Sequence, residues 1–435
     1  MDEYIFGLRS WPRAILHIDG DAFFTSCEEA IHPELRGKPL ITGGERGIVA
    51  CASYAAKRRG VKRGVPLHEA RRICPGLIVL PSDYETYSLF SKRMFDVLRH
   101  FTPQVEEYSI DEAFGDITGM RRALHSSYEG IAQTVKKEVE RELGIGVTVG
   151  LSITKVLAKI ASKYRKPDGF TAIPGREIAS YLQHIPVKNV WGIGHATTHY
   201  LAKMGIERAL DFARLPEDAV IRRFTKPTRE IWQELRGESV YPVSSEEKAA
   251  YASISKVKTF SPPTSNREYL FAQLSRNLES ACIKARRYSL APVKIAVLLK
   301  EQSFHTEGTE ARLSRPSARP LEIVDLFRAL FDSLYRGSVS YRATGVVLLD
   351  LIEDNHIQYP LFESPLRIEQ IEQLYGATDL LARKYGKHTL HLGGSHMIEK
   401  LGKGKRGTPT EREKARFRGE SKRKHLGLPI IHVKV

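Results

Sequence analysis

AILHIDGDAFFTSCEEA, residues 14–30, joins an apolar strand to a helix through a pair of acids. Ala14 to Asp19 is apolar and closes on a carboxylate. Ala22 to Ala30 has helical spacing and stops at His32-Pro33, because proline pushes the residue ahead of it out of the helical region. Asp19 and Asp21 therefore stand where a strand hands over to a helix. Outward from this point, residues 104–118 (QVEEYSIDEAFGDIT) read as two short strands joined by a turn, with Asp111 and Glu112 in the middle. A helix over 127–142, a strand over 145–152, a helix over 154–165 and a strand over 170–173 complete the unit. A basic region, 31–82, is inserted after the first strand, and 84–101 has helical periodicity. In a β-α-β-β-α-β sheet the first and third strands are neighbours, so Asp19 and the Asp111-Glu112 pair are expected to converge.

Residues 174–240 read as short helices broken by Pro186, Gly192, Gly194, Gly205, Pro216 and Pro227. A second β-α-β-β-α-β order follows over 252–351, with helices over 266–288 and 321–335. The expected architecture is thus two ferredoxin-like units bracketing a helical one. Beyond Asp354 order is expected to weaken. From Lys400 to Val435 twelve Lys and Arg stand against three Glu, which predicts a basic, flexible tail.

The 435 residues are too many for one core. Lys and Arg exceed Asp and Glu by 67 − 51 = 16, a balance that favours a polyanionic partner such as nucleic acid. The four cysteines have no metal-ligand spacing and read as reduced thiols. The acidic start Met1-Asp2-Glu3 is unlike a signal peptide. No apolar run approaches the ~20 residues that span a bilayer. From these features the protein is expected in the cytoplasm and off the membrane.

Three or four converging carboxylates with no Lys or Arg between them repel one another unless cations neutralise them. Hard oxygen donors favour two Mg²⁺ ions, with Mn²⁺ as the substitute, and such a pair can activate a hydroxyl and stabilise leaving pyrophosphate. The competing reading is a solvated acidic turn. In the basic block Tyr54–Gly64, the Tyr54 hydroxyl with Lys57 and Arg58 suits the β- and γ-phosphates of a nucleoside triphosphate. Lys166 is a second phosphate candidate, and a solvated face is the plainer alternative. Of Phe23 and Phe24, one is expected to point into the sheet and the other to face a bound sugar, where a ring excludes a 2′-hydroxyl by bulk. Gly192-Ile193-Gly194 opens a helix and leaves free N–H groups for a DNA phosphate, like a helix-hairpin-helix element. His195 and His199 read as surface residues.

HIDGDAFFTSCEEA, YAAKRRGVKRGVP, YSIDEAFGDIT, TVGLSITKVLAKIASKYRKPDG and WGIG, in this order over about residues 14–350, resemble the motifs of the Y-family translesion DNA polymerases, and most of all their bacterial polymerase IV branch. The resemblance implies an α+β multidomain right-hand polymerase. Its parts are a ferredoxin-like palm (1–22 and 83–173), small fingers (23–82), a helical thumb with the helix-hairpin-helix (174–240), a linker (241–251), a β-α-β-β-α-β little finger (252–351) and a C-terminal tail (352–435). It also implies metal ligation by Asp19, Asp111, Glu112 and the Gly20 carbonyl. Phe24 falls at the steric gate, Tyr54 and Lys57 at the triphosphate contacts, and Lys166 at a phosphate lysine. The chain departs from the family in carrying Lys57 where Arg is usual, Cys51 where Thr is common, and Gly115 where a bulkier apolar residue is common. Lys57 keeps the charge but loses the bidentate fork.

In the tail, Gln358, Leu361 and Phe362 of QYPLF resemble the peptides by which bacterial polymerases bind the sliding clamp; the alternative is a packed segment. The function expected is template-directed addition of deoxynucleotides to a primer 3′-hydroxyl, low in fidelity and distributive. The partners expected are primer-template DNA, deoxynucleoside triphosphates and the clamp, with the protein monomeric and near the nucleoid. Two other readings are a nucleotidyl cyclase with a similar palm, and a non-catalytic DNA-binding relative. The first has no use for the hairpin or the clamp peptide, and the second predicts a missing carboxylate.

Overall fold

The computed structural model describes residues 7–44, 47–246, 251–354, 364–385 and 388–398. The chain forms two compact units that divide between residues 246 and 247.

In the first unit, β1 (Ile15–Gly20) is buried along its whole length. Three short strands, β2 (Leu40–Thr42), β3 (Cys51–Ala52) and β4 (Ile78–Leu80), form a small separate sheet in the order β3-β2-β4. β5 (Val105–Glu107), β6 (Glu112–Asp116), β7 (Val147–Ser152) and β8 (Phe170–Ala172) join β1 in a five-stranded sheet ordered β5-β6-β1-β7-β8. The first and third strands of the β-α-β-β-α-β series are thus neighbours, as the sequence implies. Registers Asp19↔Glu112 and His17↔Gly150 fix which side chains share a face.

Local chemistry sets the helix ends. Asp83, Ser127 and Thr154 accept backbone N–H groups at the starts of helices Tyr84–Arg99, Tyr128–Leu143 and Lys155–Tyr164, and Gly144 ends the second at φ 65°. The Lys155–Tyr164 helix lies directly on β7. A Cβ at Gly150 would stand 2.2 Å from both the Ala158 oxygen and the Ser162 nitrogen, so only glycine admits this approach. On the sheet's other face, Gly115 leaves room for Leu98 and Thr102, whose side chains fill the space a bulkier residue would take.

Residues 174–240 form short helices, among them His195–Lys203 and Lys226–Leu235. Glu234, fully buried on the last of these, accepts from the nitrogens of Val156 (3.1 Å), Val240 (2.7 Å) and Tyr241 (2.9 Å). This carboxylate ties the helical segment to the N-terminus of the Lys155–Tyr164 helix.

The second unit has β9 (Ser253–Thr264), β10 (Leu290–Glu301), β11 (Thr306–Arg312) and β12 (Tyr341–Glu353), with helices Arg267–Arg287 and Pro320–Leu334. The element order is the one expected, but the strand order is β11-β10-β12-β9. Its centre therefore holds the second and fourth strands, and this unit is not ferredoxin-like as the sequence reading had it. Periodicity reports which residues form strands; pairing is decided by which edges the long, buried β10 and β12 offer each other.

Weak order past Asp354 is also corrected. A 21-residue helix, Pro365–Tyr385, follows. Arg286 holds Asp379 bidentately at 2.7 and 2.8 Å, Arg319 pairs with Asp354 and Glu372, and the Tyr375 hydroxyl accepts from Leu321 N at 3.1 Å. Glu279 then takes the Ser395 hydroxyl at 3.0 Å and stands 3.2 Å from His388 Nδ1. The helix is secured by partners far away in sequence, which a local pattern does not reveal. Among the described residues no helix is long and apolar enough to cross a membrane.

Candidate active site

β1, the central strand, carries Asp19 near its C-terminal end opposite Glu112 on β6, and Gly20 N donates to the Asp111 oxygen at 2.8 Å. Paired residues on adjacent antiparallel strands project to one face, so Asp19 and Glu112 stand side by side. Asp111, in the turn before β6, accepts from the Ser109 hydroxyl at 2.6 Å.

Two lysines enter this group from the chain that follows β7. Lys159 Nζ binds Glu112 Oε2, and Lys166 Nζ binds Asp19 Oδ1 and lies 3.5 Å from Asp21 Oδ1. The sequence reading found no cation among the carboxylates because it compared neighbours along the chain; the fold brings both ammonium groups in from more than forty residues away. The acids engage these lysines and Ser109, and among the described residues no three acidic, His or Cys side chains are gathered as a ready ligand set.

Burial drives the electrostatics. Desolvation, opposed by Lys166 and aided by Glu112 and Asp111, pushes the Asp19 carboxyl up to about 6. Burial also works to raise Glu112, but His17 and Lys159 outweigh it and hold that carboxyl at about 2. His17, fully buried, is lowered to about 4 by desolvation and so is neutral. Its Nε2 lies 3.5 Å from Glu112 Oε2 and its Nδ1 lies 2.7 Å from the Ser162 hydroxyl, which itself donates to the Lys159 carbonyl at 3.0 Å.

Asp21 has a different surrounding from Asp19. It is 4 % exposed and accepts from Thr148 Oγ1 (2.7 Å), Asp168 N (2.7 Å) and the Tyr54 hydroxyl (3.2 Å). Burial raises the Tyr54 phenol well above its usual range, with Asp21 adding to it. Lys57, exposed, stands over the Tyr54 ring at 4.3 Å, and Arg58 is exposed beside it. Phe23 is buried under the sheet edge, whereas Phe24 is half-buried and stacked on Tyr87 at 4.6 Å with Tyr84 edge-on at 5.3 Å. The Tyr87 hydroxyl is itself fixed to Glu28 at 2.6 Å. Cys51 is half-buried, 4.0 Å from the Thr25 hydroxyl.

Gly192 has φ 87°, and a Cβ there would meet Ile231 at 2.4 Å; Gly194 caps the His195–Lys203 helix. His195 and His199 are exposed. Gln358, Leu361 and Phe362 lie outside the described residues. Lys159, His17, Ser162, Tyr108 and Trp191 escaped the sequence reading. A usable signal was present: Lys155 and Lys159 share one face of this helix, where each is 5 % exposed.

The fold and the acidic strand edge belong to a polynucleotide polymerase, and comparison with known proteins agrees. Residues 18–163 match the impB/mucB/samB family and residues 252–361 match the C-terminal domain of that family. The DNA polymerase IV of Moorella thermoacetica is 34% identical over 386 residues, 87% of this chain and 95% of the relative. That of Desulfatibacillum aliphaticivorans is 31% identical over 379 residues, 86% and 95% of the two chains. Among solved structures, a Y-family DNA polymerase chimera of Dbh and Dpo4 has a TM-score of 0.67 at 26% identity, covering 78% of this chain and 99% of its own. An insertion ternary complex of Dbh DNA polymerase has a TM-score of 0.53 at 25% identity with the same coverages. The chain belongs to the Y family of DNA polymerases, in its DinB or DNA polymerase IV branch. It is a translesion DNA polymerase, and neither the cyclase nor the non-catalytic reading is favoured.

The partners of Asp21 mark it as structural. Asp21→Ala should lower the stability of the first unit by about 3 kcal/mol, since it strands buried donors. Asp111→Ala, whose side chain among the described residues bonds only the nearby Ser109, should cost about 1 kcal/mol or less. Urea unfolding of the two variants makes the comparison, and equal losses would contradict it.

Proposed function

We propose that synthesis runs by two-metal phosphoryl transfer, with Asp19, Asp111, Glu112 and the Gly20 carbonyl as ligands. The observation that carries this reading is the register Asp19↔Glu112, reinforced by the Gly20–Asp111 backbone bond, which brings the backbones of the three acids to one strand end, with Asp19 and Glu112 held by Lys166 and Lys159 and Asp111 by Ser109. The donor set is hard oxygen, and the Asp19 carboxyl, raised chiefly by burial, is one whose ionised form a bound cation would favour. This fits Mg²⁺, with Mn²⁺ as a substitute. Bound divalent ions supply Lewis acidity to the primer hydroxyl and neutralise charge on the leaving pyrophosphate.

The remaining roles fall to the protein's own groups. Tyr54 and Lys57 bind the triphosphate, with Lys166 turning from Asp19 to a phosphate when substrate arrives. Lys57 contributes charge without the paired hydrogen bonds of Arg, and the exposed Arg58 supplies a second cation beside it. Phe24, wedged by Tyr84 and Tyr87, keeps a ring where a ribose 2′-hydroxyl would sit. Gly192 and Gly194 offer backbone N–H groups to a DNA phosphate at the start of the His195–Lys203 helix. The QYPLF peptide tethers the enzyme to a sliding clamp.

Asp111→Ala or Glu112→Ala should abolish primer extension while primer-template affinity stays within about threefold, because the ligands act in the chemical step. Extension by either variant at the normal rate contradicts the site. Phe24→Ala should raise ribonucleotide incorporation by about a hundredfold, with a smaller change for deoxynucleotides. Unchanged discrimination in single-nucleotide insertion would place the gate on another residue. Replacing Gln358, Leu361 and Phe362 together by Ala should leave distributive synthesis intact and remove its stimulation by the cognate clamp. Full stimulation of that triple variant would make QYPLF an ordinary packed segment.

A further inference from the structure

Lys159 is 5 % exposed, and its ammonium is enclosed on three sides. Glu112 Oε2 receives it, the Tyr108 ring lies 4.4 Å away, and the Trp191 ring lies 5.2 Å away. The two rings are locked edge to face at 5.3 Å, and Trp191 Nε1 donates to the Tyr108 hydroxyl at 3.1 Å. Phe114 backs both rings, at 5.7 Å from Tyr108 and 5.9 Å from Trp191. An ammonium between π faces is attracted by their quadrupoles and loses its freedom to move. The cation is held by two aromatic walls and then applied to one carboxylate oxygen.

That oxygen matters. Lys159 and His17 both address Oε2 of Glu112, which leaves Oε1 without a protein partner among the described residues. The arrangement turns a flexible carboxylate into one with a chosen free oxygen. Trp191 also has a second connection: it directly precedes Gly192, which has a left-handed φ of 87° and no room for a side chain beside Ile231. One aromatic residue thereby connects the glycine hairpin to the carboxylate.

We infer that Lys159 is a positioning residue for Glu112, held in place by the Tyr108–Trp191 pair, so that the glycine hairpin and the catalytic carboxylate are mechanically linked. The inference rests on Glu112 being a metal ligand. Outer partners of metal ligands fix ligand orientation, and their loss weakens metal binding as well as turnover.

The test compares the full-length protein with Lys159→Met, Lys159→Arg and Trp191→Phe, each on primer-template DNA. Lys159→Met should lower kcat and raise the half-saturating Mg²⁺ concentration, each about tenfold, with KM for the deoxynucleotide within about threefold. Mn²⁺ binding followed by electron paramagnetic resonance should weaken by a similar factor, about tenfold. Lys159→Arg, which restores the charge, should recover most of both losses. Trp191→Phe keeps a ring but removes the bond to Tyr108; it should shift Mg²⁺ dependence the same way by about threefold, and add nothing to Lys159→Met.

Unchanged Mg²⁺ and Mn²⁺ affinities in Lys159→Met would overturn the inference even if kcat fell, since a loss of folding lowers activity without moving them. If that variant does not fold, Lys159→Arg and Trp191→Phe decide the matter by the same two affinities. Multiplicative effects of the Trp191 and Lys159 changes would overturn the linkage. Glu112→Ala separates the two levels: normal extension by it removes the underlying site assignment, whereas an inactive Glu112→Ala beside an unaffected Lys159→Met removes only the inference.

Discussion

Asp19 and Glu112 face each other across β1 and β6, and Asp19 is nearly sealed from water. Two like charges placed directly opposite on a sheet repel, and desolvation increases the cost because water no longer screens them. Much of the first unit follows from this juxtaposition. The Lys155–Tyr164 helix must lie close enough to the sheet to bring Lys159 to Glu112 and Ser162 to His17, and Gly150 supplies that closeness by having no side chain. The segment after the helix then returns Lys166 to Asp19.

Around this charged centre, other buried acids perform structural work. Asp21 joins three separate segments, the β7 strand, the loop before β8 and a short helix, through Thr148, Asp168 and Tyr54, and Glu234 fastens the helical segment to the helix that carries Lys159. Acids with the same side chain thus have opposite tasks, decided by whether their oxygens are consumed by backbone and hydroxyl donors or left for a cation. The same economy operates in the second unit, where Glu279 and Asp379 gather the chain beyond Asp354 onto the Arg267–Arg287 helix.

The element order of both units was legible because strands read as short apolar or alternating runs and helices repeat at helical spacing, and because Asp83, Ser127, Thr154 and Gly144 mark helix ends. Asp19, Asp111 and Glu112 were legible because they sit at strand ends, where local pattern and position coincide. The strand order of the second unit was not, since pairing is a choice among edges that one strand's sequence does not encode. The Pro365–Tyr385 helix was missed for a related reason: its anchors, Arg286 and Arg319, lie roughly fifty to ninety residues upstream.

The sequence by itself determined that this chain carries an acidic strand end, a matching acidic turn, an aromatic pair and a glycine hairpin in the order of a Y-family polymerase. Those features are local, each a short run whose chemistry is written in neighbouring residues. Only the tertiary structure decided which lysine meets which carboxylate, that Asp21 is a buried anchor while Asp19 is not, and that Trp191, Tyr108 and Lys159 form one cradle. These are encounters between segments tens of residues apart, and their energies depend on distance and burial, which a linear pattern does not contain.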